Sequence, residues 1–219
     1  MHFWKCVLGQ NLKKAEQLKN TFKGQQGVME LATRYFSTRG PASIQDFAWW
    51  SGLGITQIKK AIAELGDKLQ KLENPNSKDK LHPNAALFQI ASQSGISSPL
   101  PANEKQRAEK GRLHFLAAFD EYLISYKDRT SMLPANFNRQ IITVNGMFRP
   151  AVAEMGKIIA GWQVENRRNK DGKTGLKIKI LPFTALNASA QKQLLKKAEP
   201  EALAYARFRQ LPLEALQLG

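Results

Sequence analysis

The chain has a single cysteine, Cys6, in 219 residues. One thiol excludes an internal disulfide and fits a reducing compartment. Histidine is also scarce: His2, His82 and His114 stand far apart, and neither CxxC nor HxxxH spacing occurs. A zinc site of the usual spacing is therefore not expected, nor is any other cofactor. Acidic residues are few, 18 against 33 Lys+Arg. Long apolar runs are missing as well. The longest uncharged stretch, residues 81–103, holds Pro83, Pro99 and Pro101 among serines and asparagines. A membrane-spanning helix needs about twenty mostly apolar residues, so that stretch does not qualify. The opening "MHFWKCVLGQNLKKAEQ" is too weakly hydrophobic for a secretory signal. A cytoplasmic protein with no membrane partner is expected.

What is abundant is positive charge. The net charge is +15, on a composition of 42% hydrophobic and 23% charged residues that is otherwise ordinary for a globular chain. Excess basic charge on a folded domain favours polyanions, with nucleic acid first and anionic membrane second; the plainer reading is solubility.

Organisation follows from punctuation and periodicity. The polar, basic residues 1–27 carry no clear pattern. A first helix is expected from about Val28, with Met29, Leu31, Ala32, Tyr35 and Phe36, until Gly40-Pro41 stops it. A second begins at Ser43, where "SIQD" reads as a capping box and Asp46 suits the helix dipole. Gly52 and Gly54 supply a tight turn. The third helix, "TQIKKAIAEL", takes Thr56 as N-cap and places Ile58, Ile62 and Leu65 on one face, with Gln57, Lys59, Lys60 and Glu64 elsewhere. "KLQKL" and "ALFQIA" then read as strands around the turn-forming "ENPNSKDK". Two helices joined by a glycine turn and followed by a basic hairpin are the layout of a winged helix-turn-helix.

On the second helix Phe47 and Trp50 share a face, while Trp49 points about 100° away. One indole is expected to fill the core with Phe47. The simplest expectation for the other is packing within the protein; stacking on DNA is the alternative.

The Ser- and Pro-rich "SQSGISSPLPANEKQ" separates this unit from a second one. The expected divisions are 1–27, a poorly defined N-terminal segment; 28–95, a winged helix; 96–112, a linker; and 113–219, a C-terminal α+β domain. After "RLHFLAAFDEYLISYKDRTSML", the second half turns to alternating strands, "QIITVNGMFRPAVAEMGKIIAGWQV" and "GLKIKILPF", broken by Asn145-Gly146, Gly156 and "NKDGKTG". Glycines within these strands suggest the bends of a small antiparallel barrel-like sheet. A helical pair broken at Pro200 is expected to close the chain. The fold class is thus α+β.

Two stretches, "YFSTRGPASIQDFAWWSGL" and "FLAAFDEYLISYKDRT", the latter followed by "GMFRPAV" and "GKIIAGWQV", closely resemble the AlkZ-like family over about residues 29–210. The resemblance implies tandem winged helices around a barrel-like part, and a relation to DNA glycosylases that remove alkylated bases and unhook interstrand crosslinks. In the family a longer N-terminal region carries a catalytic Gln-x-Gln or Gln-x-Asp motif. Near the start of this chain the one glutamine pair, Gln25-Gln26, has no residue between its members and is expected in a glycine-flanked loop. The expectation is a shortened member that binds double-stranded DNA without the catalytic glutamines. The alternative is an active glycosylase, and a third reading is a protein-interaction fragment.

For DNA binding the candidate residues are Arg39, Gln57, Lys59 and Lys60 near the helix-turn-helix, and Lys71, Lys78 and Lys80 at the wing. Residues 165–179, "ENRRNKDGKTGLKIK", hold six basic and two acidic residues on an expected hairpin, adding Arg167, Arg168, Lys170 and Lys173. Each cation alone reads equally well as a solvated surface charge. For catalysis Asp120 is the candidate, as a carboxylate beside developing positive charge; the plainer role is a helix cap.

Overall fold

The protein is described by a computed structural model covering residues 24–73, 86–91, 111–168, 172 and 174–219. The chain divides between Gln93 and Ser94 into two compact units.

In the first unit, α1 (Gly24–Arg39) buries Val28, Ala32, Tyr35 and Phe36, an i, i+4, i+7, i+8 stripe that packs against α3 (Ile55–Leu65). The helix starts four residues before the expected Val28, so Gln25 and Gln26 lie in its first turn rather than in a loop. Glutamine is a good helix former, and Gly24 at φ 54° makes the turn into it. After β1 (Ala42–Ser43), α2 (Ile44–Ser51) begins with the expected reciprocal cap: Ser43 Oγ accepts from Asp46 N at 3.1 Å, and Asp46 Oδ2 accepts from Ser43 N at 2.9 Å. Gly52, left-handed at φ 70°, ends α2 by donating its N–H to the Ala48 carbonyl. The N-cap of α3 is Gly54, not Thr56, because the helix starts one residue earlier than the threonine and has no side-chain cap. Ile58, Ala61 and Leu65 are its buried face.

β2 (Leu69–Leu72) and β3 (Leu87–Ile90) pair antiparallel, Leu69 opposite Ile90. On the other edge of β3 the two residues of β1 pair antiparallel, Ala42 opposite Phe88, which makes a three-stranded sheet. Tyr35, Phe36, Phe47, Trp50 and Phe88 form a continuous aromatic cluster with ring centroids 4.9–6.3 Å apart. Trp50 joins that cluster as expected. Trp49 does not pack inside: it is 54% exposed, the outcome of its 100° offset on a helix of only two turns.

The second unit is built on a five-stranded sheet of order β4-β5-β6-β7-β8. β4 (Leu113–Leu116), β5 (Ala151–Glu154), β6 (Lys157–Arg168) and β7 (Thr174–Pro182) run antiparallel to their neighbours. The 22-residue α6 (Ala188–Arg209) then carries the chain back, so β8 (Leu213–Leu218) joins β7 in parallel. This corrects two expectations. Among the described residues the sheet is open, with β4 and β8 as its edges and its last pair parallel, in place of the expected small antiparallel barrel-like sheet. The C-terminal segment is one helix and a strand, not two helices. Pro200 lies inside α6 on its exposed side, while Ala198, Ala202 and Ala206 are buried and hold the helix together across it.

Two cores flank the sheet. Leu113, Val152, Ala160, Trp162, Ile178 and Ile180 cluster with Ala198 and Ala202 of α6. Ala151, Ala153 and Ile158 cluster instead with Leu123, Met132, Leu133, Ile141 and Phe148. The register shift between Val152 and Ala153 re-aims side chains, which puts Ile158 in the second core while Ala160 and Trp162 enter the first. The segment between β4 and β5 contributes two single-turn helices, α4 (Glu121–Ile124) and α5 (Asn138–Ile141).

Candidate nucleic-acid interface

The buried stripe of α3 fixes what its other side presents. Gln57, Lys59 and Lys60 are all exposed, flanking Ile58, which is fully buried. Gln57 and Lys60 are three apart and share a side of the helix; Lys59 lies about 100° from Lys60. Trp49 and Ile55, 54% and 40% exposed, add apolar surface at the end of α2 and the start of α3. Lys71 is exposed on β2, opposite Phe88 in the ladder. Lys78 and Lys80 lie outside the described residues.

Arg39 behaves differently from an open phosphate contact. It is the last residue of α1, half-buried, with its guanidinium carbon 5.1 Å from the centre of the Trp50 ring and Nη1 donating to Thr38 Oγ1 at 2.9 Å. A cation over an indole face is stabilised there by about 0.5–1 kcal/mol at exposed sites. The sequence held no signal for that contact because Arg39 and Trp50 belong to different helices.

In the second unit Arg167 and Arg168 are exposed at the end of β6, opposite Gly175 and Thr174. Lys170 and Lys173, in the connection that follows, lie outside the described residues. Alternation puts Glu165 and Arg167 on one side of β6, away from the buried Trp162. Glu165 accepts a hydrogen bond from Lys179 Nζ at 2.8 Å. That bond first, then the charges of Lys179, Lys177 and Arg167, hold the Glu165 carboxyl below the usual range. The hairpin is therefore basic with one acid already neutralised by its own lysine.

Asp120 is placed as a helix cap. It is the N-cap of α4, and Oδ1 accepts from Tyr122 N at 2.9 Å. Tyr122 in turn donates its hydroxyl to the Gly156 carbonyl at 2.8 Å, and burial raises its pKa. Glu121 accepts from Ser125 Oγ at 2.7 Å, and Asp128 accepts from both N and Oγ1 of Thr130. These carboxylates are building turns. Among the described residues no group of three His, Cys, Asp or Glu could hold a metal ion, and no helix is long and apolar enough to cross a membrane.

Two features escaped sequence reasoning. Asn145-Gly146 reads only as a strand break, but it forms the tip of a tight hairpin closed by Gly146 N to Thr143 O and Thr143 N to Met147 O, both 2.9 Å. That tip holds Val144 97% exposed and Met147 53% exposed. The second is a Gln-x-Gln spacing at Gln191 and Gln193. It lies in α6, where residues two apart point about 200° from each other. Gln191 donates to the Leu186 carbonyl, and Gln193 lines a cleft of about 540 Å³.

The geometry has relatives. The chain is similar to the solved structure of Streptomyces sahachiroi DNA glycosylase AlkZ, with a TM-score of 0.62 and 17% identity over 94% of this chain and 50% of that one. At that identity the likeness is one of fold, and this chain spans half the length of that enzyme. No curated protein matches the chain. A family model described as DNA glycosylase AlkZ-like matches residues 8–208, which reaches well upstream of residue 29, where the motif resemblance starts. With nearly all of its length inside that match, the chain belongs to the AlkZ-like DNA glycosylase family.

Proposed function

We propose that the chain is a cytoplasmic winged-helix protein whose role is to bind double-stranded DNA through α3 and its wing. The observation that carries this is the exposure of Gln57, Lys59 and Lys60 outside the buried Ile58–Ala61–Leu65 stripe, in a chain of net charge +15 from a DNA glycosylase family. In this reading residues 28–95 are the winged helix and 113–219 the α+β domain. α3 enters the major groove. Lys71, Lys78 and Lys80 of the wing meet phosphates, and Arg39 steadies Trp50 at the edge of the surface. Arg167, Arg168, Lys170 and Lys173 form a second phosphate contact. Lysine is a flexible point charge without the planar fork of arginine, so a lysine-rich surface favours phosphate over base edges and the binding is of low sequence specificity.

The second reading, favoured by the family match, is excision of alkylated bases or unhooking of interstrand crosslinks. Asp120 would then stand beside the developing positive charge.

Fluorescence anisotropy with a short duplex, intact or carrying an abasic-site analogue, tests both across a salt series. Each phosphate contact steepens the log–log salt dependence by about 0.9, so Lys59→Ala/Lys60→Ala should flatten it by about 1.8. An unchanged slope removes α3 from the interface. Base release from alkylated duplex by the wild-type chain, lost in Asp120→Asn, would establish the second reading in place of the first.

A further inference from the structure

The cleft that Gln193 lines lies wholly in the second unit, between α6, the start of β6 and the end of β7. At about 540 Å³ it has the size of a small-molecule site and is too small for a duplex. Its walls are of three kinds. Phe137 and Phe183, stacked with centroids 4.8 Å apart and planes 20° from parallel, give it an aromatic wall beside Ile159 and Leu194. Gln193 is exposed and brings a carboxamide with two donors and an acceptor. Lys157 and Lys197 bring positive charge, against the single carboxylate of Glu154, which accepts from Lys197 at 2.6 Å. Lys157 is steadied by a hydrogen bond to the Ser131 carbonyl.

We propose that this cleft is a binding site for one nucleotide, with the base on the Phe137–Phe183 wall, Gln193 at the base edge, and Lys157 and Lys197 at the phosphate. Each element matches a part of that chemistry. An aromatic face takes any base by stacking. A carboxamide pairs with donor–acceptor base edges. Two lysines against one glutamate leave one net positive charge for a phosphate. The Glu154–Lys197 pair stands at the rim with side chains 25% and 44% exposed, so Lys197 can turn to an anion without leaving a buried charge behind. The nucleotide can come from two sources, a free mononucleotide or one extruded from a DNA strand. The site itself does not depend on α3 binding DNA.

The test uses the full chain with ¹³C-labelled Ile and Leu methyls. It is titrated with AMP, with GMP, with ribose 5-phosphate, with a paired duplex, and with the same duplex carrying one extrahelical adenosine. Saturable shifts at Ile159 and Leu194 with AMP or GMP, and not with ribose 5-phosphate, support the site and a free-nucleotide source. The same shifts with the bulged but not the paired duplex support the site and an extruded source. Gln193→Ala, on the helix surface, should weaken binding, and Phe183→Leu should do so about tenfold. No shift with any nucleotide or with the bulged duplex, or equal shifts with ribose 5-phosphate, overturns the proposal. Lys59→Ala/Lys60→Ala separates the two readings, since it should weaken duplex binding while AMP still shifts the cleft methyls.

Discussion

Removing either half of the Ser43–Asp46 cap should loosen the element that aims α3. Both residues are buried, 6% and 5% exposed. Three hydrogen bonds join them: Asp46 N to Ser43 Oγ at 3.1 Å, Ser43 N to Asp46 Oδ2 at 2.9 Å, and Ser43 Oγ to Asp46 Oδ2 at 2.7 Å. Ser43→Ala removes the acceptor for Asp46 N and the hydroxyl donor to the carboxylate. The expected loss is about 1–2 kcal/mol, the usual cost of deleting an N-cap. Asp46→Ala strips Ser43 N of its charged acceptor in a site closed to water, at a cost of about 1.5–3 kcal/mol. Because the two side chains share a bond, the double variant should lose less than the sum, with a coupling of about 1 kcal/mol. Two compact units make a single global transition an unsafe readout, so the assay is hydrogen exchange followed by mass spectrometry on peptides from α2 and α3. Strictly additive losses, or a Ser43→Ala chain whose α2 exchanges at the wild-type rate, would refute the reciprocal cap.

Pro200 deprives the Lys196 carbonyl of a helical donor, and a proline in a helix interior is about 3 kcal/mol less favourable than alanine. Pro200→Ala should therefore slow exchange in α6, and unchanged exchange there would mean that the helix is already shaped to the ring. Trp162 donates Nε1–H to the Leu116 carbonyl at 2.8 Å and stands edge-on to Tyr205, so Trp162→Phe should cost about 1–3 kcal/mol, read as faster exchange in β4 and β6. Glu165 has a folded pKa below its ordinary value, so its contribution is present above the unfolded pKa and fades as pH falls through the folded one. An NMR titration should place its carboxyl midpoint below that of a free glutamate, and a normal midpoint would deny the Lys179 bond. Glu165→Gln frees that lysine and should steepen the DNA salt slope by up to about 0.9 if the hairpin meets phosphate.

Local chemistry was legible in the sequence because it acts over a few residues. "SIQD" announced the cap of α2, Gly52 and Gly54 the turn that ends it, and the apolar spacing of Ile58 and Leu65 the buried side of α3. The exposure of Gln57, Lys59 and Lys60 followed from that spacing alone. The family too was legible, since its motifs are contiguous in the chain.

Only tertiary structure decided the rest. Ala42–Ser43 is too short to read as a strand and becomes one because β3 lies beside it. Pro200 reads as a helix start, yet the helix runs through it because Ala198, Ala202 and Ala206 bury against the sheet, and burial outweighs one lost hydrogen bond. β8 is parallel because α6 returns the chain to the edge of β7. The cleft draws Thr130, Lys157, Phe183 and Gln193 from four separate segments. Periodicity reports which side of an element is apolar, but only packing decides which distant element covers it.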